Sequence, residues 1–402
     1  MLRAIGAAAL IALAAAPVRA QVDPERRSQI ETGYEQGLGS PGPYAPYFYI
    51  YLNRPDFMAS SDTFRLALAP VYFDGEWGIK NALGRFGDAG FGLNGGGYAF
   101  GQTEVYRGDE KRGEDFTGHG GGPSLSAYPH LGNIGPVPLN GVLRVAASYS
   151  DYRRGYATAP QFVLPQNEWT GKIRAGLRFG GQPPGLDRAP AGEASVWWET
   201  QGREHSVPYG YNGDRTAQGQ TNLYWTRMLF AYTMEDATRL EARTSFGGGT
   251  GVDRFSAYRL GGMLTLNSEF PLVLPGYFSH EIAARQYAHL YVRGGMPLDD
   301  NRKLVLNLFA AGASITPVAG TDAGGAQHLG VGTSIEFAPR HGALRGVLSY
   351  GYAPTALRGG GRGGQGVALS IELNLEPRKD KLGEAPYDMQ QGLRWLLGPL
   401  AP

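Results

Sequence analysis

Cysteine is absent from the 402 residues, which excludes disulfide bracing and a lipid-modified N-terminal cysteine. Charge is scarce as well: Asp, Glu, Lys and Arg make up 18% of the chain, and the net charge of +1 gives no reason to expect nucleic acid as a partner. Beyond the first twenty residues no segment approaches the roughly 18 uninterrupted apolar residues that a transmembrane helix needs. The usual enzyme motifs are missing too. No G-x-S-x-G nucleophile elbow occurs. The histidines (His119, His130, His205, His280, His289, His328, His341) show no zinc-ligand spacing. The glycine clusters "GHGGG" (118–122) and "GGGRGG" (359–364) follow no phosphate-loop pattern and read as flexible loop tips. No catalytic residue, cofactor site or metal site is therefore expected.

What is present begins with a leader. "MLRAIGAAALIALAAAPVRA" places Arg3 before an apolar core, Ile5 to Ala16, and ends on the small-residue cleavage site Val18-Arg19-Ala20. Residues 1–20 read as a signal peptide, and the mature chain is expected to begin at Gln21. Glycine reaches 62 residues and tyrosine 23. An exported, glycine-rich chain without a helical span is either a soluble periplasmic all-β protein or an outer-membrane barrel.

Alternation decides between them. Leu304, Leu306 and Leu308 share one face of 303–311, with Lys303, Val305, Asn307 and Phe309 on the other. Leu240, Ala242, Thr244 and Phe246 oppose Arg239, Glu241 and Arg243. Trp169, Ile173, Ala175, Leu177 and Phe179 oppose Lys172, Arg174 and Arg178. Val367, Leu369, Ile371 and Leu373 oppose Ala368, Ser370, Glu372 and Asn374. Nine further runs of this kind lie near 46–54, 63–73, 88–101, 140–152, 193–202, 220–234, 285–294, 327–337 and 344–352, giving thirteen segments. Many run longer than the roughly 5–6 residues usual in sandwiches and match tilted membrane strands. The fold class is therefore all-β: a transmembrane antiparallel β-barrel with charged residues facing a watery lumen. Those charges either set the ion preference of a pore or form a structural Arg/Glu ladder across strands.

Connections near the C-terminus alternate in length. "PLDDNRK" (297–303) and "APRHGA" (338–343) are tight; 259–281, "TPVAGTDAGGAQ" (316–327) and "APTALRGGGRGG" (353–364) are long. The first long connection is unusual. "RLGGMLTLNSEFPLVLPGYFSHE" (259–281) is apolar, yet Gly261, Gly262, Pro271, Pro275 and Gly276 forbid a helix or central strand. Such a loop does not belong in water.

Over roughly residues 255 to 375 the chain resembles the bacterial surface antigen barrels, the barrel domain shared by barrel-assembly proteins, two-partner-secretion transporters and patatin-associated barrels. "YRLGGMLTL…LPGYF…RQYAHLYVRGGMPL", "KLVLNLFAAGAS" and "HLGVGTSIEFAPRHGALRGVLSYGYA" carry the likeness. The resemblance implies sixteen strands (range 12–16), where the pattern counts thirteen segments, and a long loop folded into the lumen. There, non-helical backbone is surrounded by protein rather than lipid. It identifies a lumen-loop motif (Gly261, Gly262, Leu274, Pro275, Gly276, Tyr277) and a docking strand with Phe309 and Ala311. "QGVALSIELNL" (365–375) is similar to the closing strand and its assembly signal, with Gly366, Leu369, Ile371 and Leu373 in the pattern positions.

Two departures stand out. Pro275 replaces the loop arginine usual in the family, and Ala310 and Ala311 replace its carboxylate partner. With both members of an ion pair gone, the loop is expected to be held by packing alone, because a single buried charge costs several kcal/mol. Residues 21–45 are expected to be a short periplasmic segment. Within them 22–36 is a candidate helix with Asp23 as N-cap and Pro24 at its first position, leaving no room for periplasmic repeat domains. The barrel is expected over 46–376. Residues 377–402 form a tail in which Met389, Leu393, Leu396, Leu397 and Leu400 share a helical face.

By resemblance, the function is non-enzymatic: insertion, translocation or accommodation of proteins or lipids at the outer membrane, using a weak seam between first and last strands. The alternative is a passive channel or porin-like transporter. Partners are expected to be outer-membrane lipid, lipopolysaccharide and a client protein or lipid, with the barrel acting as a monomer.

Overall fold

Strand alternation closes on itself. The computed structural model describes residues 26–39, 42–97, 104–134, 137–181, 191–234, 236, 238–264, 271–300, 303–321, 325–338 and 343–376. The expected leader, Asp23, Pro24 and the tail at 377–402 lie outside these residues. Sixteen antiparallel strands form one closed sheet: β1 (Arg27–Leu38), β2 (Tyr44–Pro55), β3 (Asp62–Ala69), β4 (Tyr72–Ile79), β5 (Gly87–Gly96), β6 (Phe116–Ile134), β7 (Val137–Arg154) and β8 (Glu168–Gly181), followed by the second half. That half comprises β9 (Ala191–Arg203), β10 (Gln220–Thr233), β11 (Arg239–Thr250), β12 (Ile282–Pro297), β13 (Leu304–Pro317), β14 (Gln327–Phe337), β15 (Leu344–Arg358) and β16 (Gly361–Asn374). β16 pairs with β1 from Gln29↔Asn374 to Leu38↔Gln365, so no edge is left unpaired.

Alternation sets the two faces of the wall. Leu240, Phe246, Leu290, Leu308, Leu348, Leu369 and Ile371 are exposed, whereas Tyr287, His289, Ala311, Ala313 and Ala368 on neighbouring positions are buried. An apolar outer wall over strands whose backbone groups are all paired is the arrangement that crosses a bilayer. Among the described residues no helix is long and apolar enough to cross a membrane.

The four longest connections lie at one end of the barrel. The end carrying both β1's start and β16's finish has short turns, while the other carries 97–115, 155–167, 204–219 and 251–281. Three of these loops meet over the barrel mouth, where Phe116, Tyr152, Phe162, Tyr209 and Ala217 form an aromatic cluster joined by Phe255. Ion pairs Arg215–Glu114, Arg203–Asp253 and Arg254–Glu104 tie the loops together.

Several expectations are corrected. Of the candidate helix at 22–36, residues 27–36 lie in strand β1, so the barrel includes residues from Arg27 rather than from 46. The tertiary reason is pairing on both sides, with β2 and with β16. β4 and β6 also escaped the thirteen-segment reading. "GHGGG" (118–122) lies inside β6 and is no loop tip: a Cβ on Gly122 would stand 1.9 Å from the Ala147 carbonyl oxygen, so the strands approach only without one. The expected long connection at 353–364 is a hairpin whose strands run to Arg358 and Gly361, with an irregularity after Ala353.

Candidate functional site

The loop between β11 and β12 enters the barrel. Asp253 turns its start, accepting hydrogen bonds from the Phe255 and Ser256 amides (3.0 and 2.9 Å). Tyr258–Leu260 then pairs with the beginning of β12, and Leu260 and Gly262 bridge to Leu272 and Leu274. Gly261 (φ 133°) and Gly262 (φ 78°) make this crossing; a Cβ on Gly261 would stand 2.2 Å from the Phe278 carbonyl oxygen. Leu260 and Leu274 have no exposed surface, and with Leu272 and Tyr277 they pack on inward residues Tyr287, Ala311, Ala313, Ile315, Ala353 and Ala356. Burying Leu-sized side chains stabilises by about 1.5–3 kcal/mol each, which accounts for an apolar loop in this place. Leu266 and Phe270 lie outside the described residues.

The tip rests on glycines. Added Cβ atoms would reach 2.2 Å from the Pro275 oxygen at Gly330 on β14 and 2.6 Å from the Gly276 nitrogen at Gly351 on β15. At Gly364 on β16 the Gly276 oxygen would be 2.5 Å away. Gly276 itself (φ 80°) stands against the Ala353 nitrogen. Beyond the tip, Phe278 fills a slot lined by Gly37 of β1 and Gly42. The Tyr277 hydroxyl meets His328 Nδ1 (3.0 Å) and Thr355 Oγ1 (2.9 Å). His289 Nε2 donates to the Val273 carbonyl (2.8 Å), so it positions the loop and has no reacting partner among the described residues.

Packing is not the only anchor, contrary to expectation. Arg358, at the end of β15, binds both carboxylate oxygens of Glu281 (2.6 and 3.0 Å), donates to the Gly276 carbonyl (3.1 Å), and lies 4.5 Å over the Phe278 ring. Glu281 also accepts the Phe278 amide (2.8 Å). Burial pushes the Glu281 carboxyl above its ordinary range, with Arg358 opposing that shift. On β1, buried Glu35 accepts the Met263 and Leu264 amides (2.9 and 3.2 Å). The charge missing at Pro275 is thus supplied from a strand instead of the loop. Of the two expected dock residues, Ala311 joins the buried cluster, while Phe309 stacks on Tyr291 (6.3 Å) and lies against Gly332.

The expected lumen charges are mostly paired. Arg174 binds Glu199 (2.7 Å), Arg178 approaches Glu193 (3.5 Å), and Glu241 sits between Arg239 (3.6 Å) and Arg243 (2.5 Å). Arg293, Glu336, Arg345 and Glu372 continue the ladder at 3.0, 2.7 and 3.8 Å. Lys172, on the inward side of β8, is exposed. Apart from Lys172, these residues form an Arg/Glu ladder across neighbouring strands.

The closing strand carries Leu369 and Ile371 outward, opposite Tyr34 and Thr32 of β1; Leu373 pairs with Ile30, and Gly366 lies buried opposite Gly37. The seam expected to be weak is paired over ten residues, as many as join β1 to β2. At the short-turn end, Glu376 latches it by accepting Ser28 Oγ (2.6 Å) and pairing with Arg54 (2.5 Å) and Arg26 (3.3 Å). Glu35, Glu281, Arg358, Glu376 and the glycine shelf were not singled out by sequence reasoning.

The chain is thus a closed sixteen-stranded antiparallel barrel with one long loop drawn into its lumen. Solved structures share this fold. It superposes on CdiB from Acinetobacter baumannii with a TM-score of 0.60 at 10% identity, covering 87% of this chain and 60% of that one. CdiB from Escherichia coli gives 0.56 at 12% identity, covering 87% and 64%. BamA from Haemophilus ducreyi lacking POTRA domains 1–3 gives 0.55 at 11%, covering 87% and 71%. The chain thus spans less than two thirds of the length of either CdiB. No family model and no curated protein matches the sequence.

Proposed function

We propose that this chain is a non-enzymatic outer-membrane barrel that inserts, translocates or accommodates proteins or lipids, with its long-loop end outside and its short-turn end in the periplasm. One observation carries the reading: a single loop braces both sides of the β16–β1 seam from within. Its tip lies on Gly351 and Gly364, Phe278 lies on Gly37, and Glu35 holds the Met263 amide. Moving the loop therefore removes support from the seam, and opening the seam strips the loop of its dock. Such coupling gives a route to lateral release that a rigid pore has no use for. Lipopolysaccharide, bilayer lipid and a client protein or lipid are the corresponding partners, and the barrel acts as a monomer.

Passive conduction of small solutes is the second reading, favoured by the polar inner wall. A disulfide across the seam separates the two. The chain has no other cysteine, so Thr32→Cys with Ile371→Cys, a register pair, locks β1 to β16. Loss of cellular function on oxidation, restored by reductant, supports the proposal. Undiminished function with the seam locked refutes it and leaves the channel.

A further inference from the structure

The outer wall carries a furrow. Its volume is about 810 Å³, and it crosses the strands of the wall from β6 to β11. Register explains its form. One rim is the outward row Leu143, Ala175, Trp198, Tyr224 and Gly248; the other includes Leu177, Val196 and Phe246, one row removed along the strands. The row between them points inward, with Trp197, Trp225 and Tyr287 buried, so only main chain forms the floor. Gly176 and Gly247 in that row are backed from within by the Trp197 and Tyr287 rings. The result is a long apolar trough on the bilayer side, walled by aromatic rings.

Charge stands at one end of it. Gly248 is paired with Gln286, and the next residue, Arg285, falls where the β12–β13 register shifts between Ala284 and Gln286. Arg285 is exposed, and no hydrogen bond or ion pair to it is found among the described residues. Tyr224 lies four residues from the start of β10 and Phe246 four from the end of β11, so this end belongs to the leaflet on the long-loop side.

We infer that the furrow binds one phosphorylated, acylated glycolipid of the outer leaflet, lipid A, with an acyl chain in the trough and a phosphate on Arg285. The choice of leaflet rests on the outer-membrane orientation proposed above. Within a bilayer, packing along a preformed trough selects shape, since lipid tails are as apolar as the wall. The guanidinium selects phosphate by charge-assisted hydrogen bonding.

Native mass spectrometry of the detergent-solubilised barrel titrated with lipid A tests this independently of any cellular function. One lipid A is expected to be retained. Arg285→Gln should weaken retention by about tenfold, the loss of one charge-assisted contact. Ala175→Leu, which fills the trough, should weaken it while the folded barrel still shifts on unheated gels. Gly248→Leu serves where Ala175→Leu fails to assemble. Lipid A without phosphates should bind as weakly to the parent as intact lipid A binds to Arg285→Gln. Equal retention by parent and both variants, or phosphatidylethanolamine held as firmly as lipid A, overturns the inference.

Discussion

Arg358→Ala is expected to release the lumen loop. The substitution deletes both bonds to Glu281, the bond to the Gly276 carbonyl, and the cation over Phe278. The two partners are only 12% and 9% exposed, so the carboxylate left behind is poorly solvated. Stranding one member of a buried pair costs about 3–5 kcal/mol. Glu281 keeps the Phe278 amide and can take up a proton, which places the expected cost at the lower end of that range. Proton uptake gives the effect a pH signature. Burial already raises the Glu281 carboxyl, and removing Arg358 raises it further. A raised folded-state value means stability is full below the ordinary carboxylate range and is lost as pH rises through the folded value. The penalty of Arg358→Ala should therefore be larger near pH 8 than near pH 5, by the linkage relation. Urea midpoints of the heat-modifiable band, with proteolysis of residues 259–281, measure both parts. Adding Glu281→Gln to Arg358→Ala should recover part of the loss and remove the pH dependence. A loop as protected in Arg358→Ala as in the parent, with a pH-independent midpoint, would refute the reasoning.

Other perturbations follow from the same contacts. Gly330→Ala places a Cβ 2.2 Å from the Pro275 oxygen and should cost about 1–3 kcal/mol by overpacking, read as new protease cleavage in the loop. Pro275→Arg should also destabilise, because Arg358 already occupies the nearby carboxylate; urea midpoints check this. Ile371→Asp puts a charge on the outer wall and should cost roughly 2–4 kcal/mol near the bilayer midplane, whereas Ser370→Asp on the inward side should assemble normally. Partial burial raises the Glu376 carboxyl, but Ser28, Arg54 and Arg26 outweigh it and hold the group below its ordinary range. Its latch is thus intact above that range and lost as pH falls through the lowered value. Glu376→Gln should speed amide exchange at Ser28–Ile30, and the difference from the parent should vanish in acid.

Strands whose outer face bears large apolar residues, such as Leu304–Pro317 and Gly361–Asn374, were legible because alternation survives without context. β1 was not. Glu31 and Glu35 lie four apart, as on a helix face, but they point inward to Tyr47, Tyr49 and the loop amides. β6 was hidden by glycines that serve close strand approach, which local reading takes for loop. Gly261, Gly262, Pro275 and Gly276 mark the loop in the sequence, since positive φ and chain breaks are local properties. Its ionic anchor was invisible: Arg358 lies 77 residues from Glu281, inside a stretch that reads as a long connection. Only the fold brings them together.

Single-channel recording of the reconstituted barrel most directly tests whether the loop and the aromatic cap obstruct the lumen. The unmodified protein should show no steady open level, and Arg358→Ala should add long-lived openings as its loop leaves the dock. A steady, large conductance in the unmodified barrel, unchanged by Arg358→Ala, would contradict the obstructed lumen and favour a passive channel.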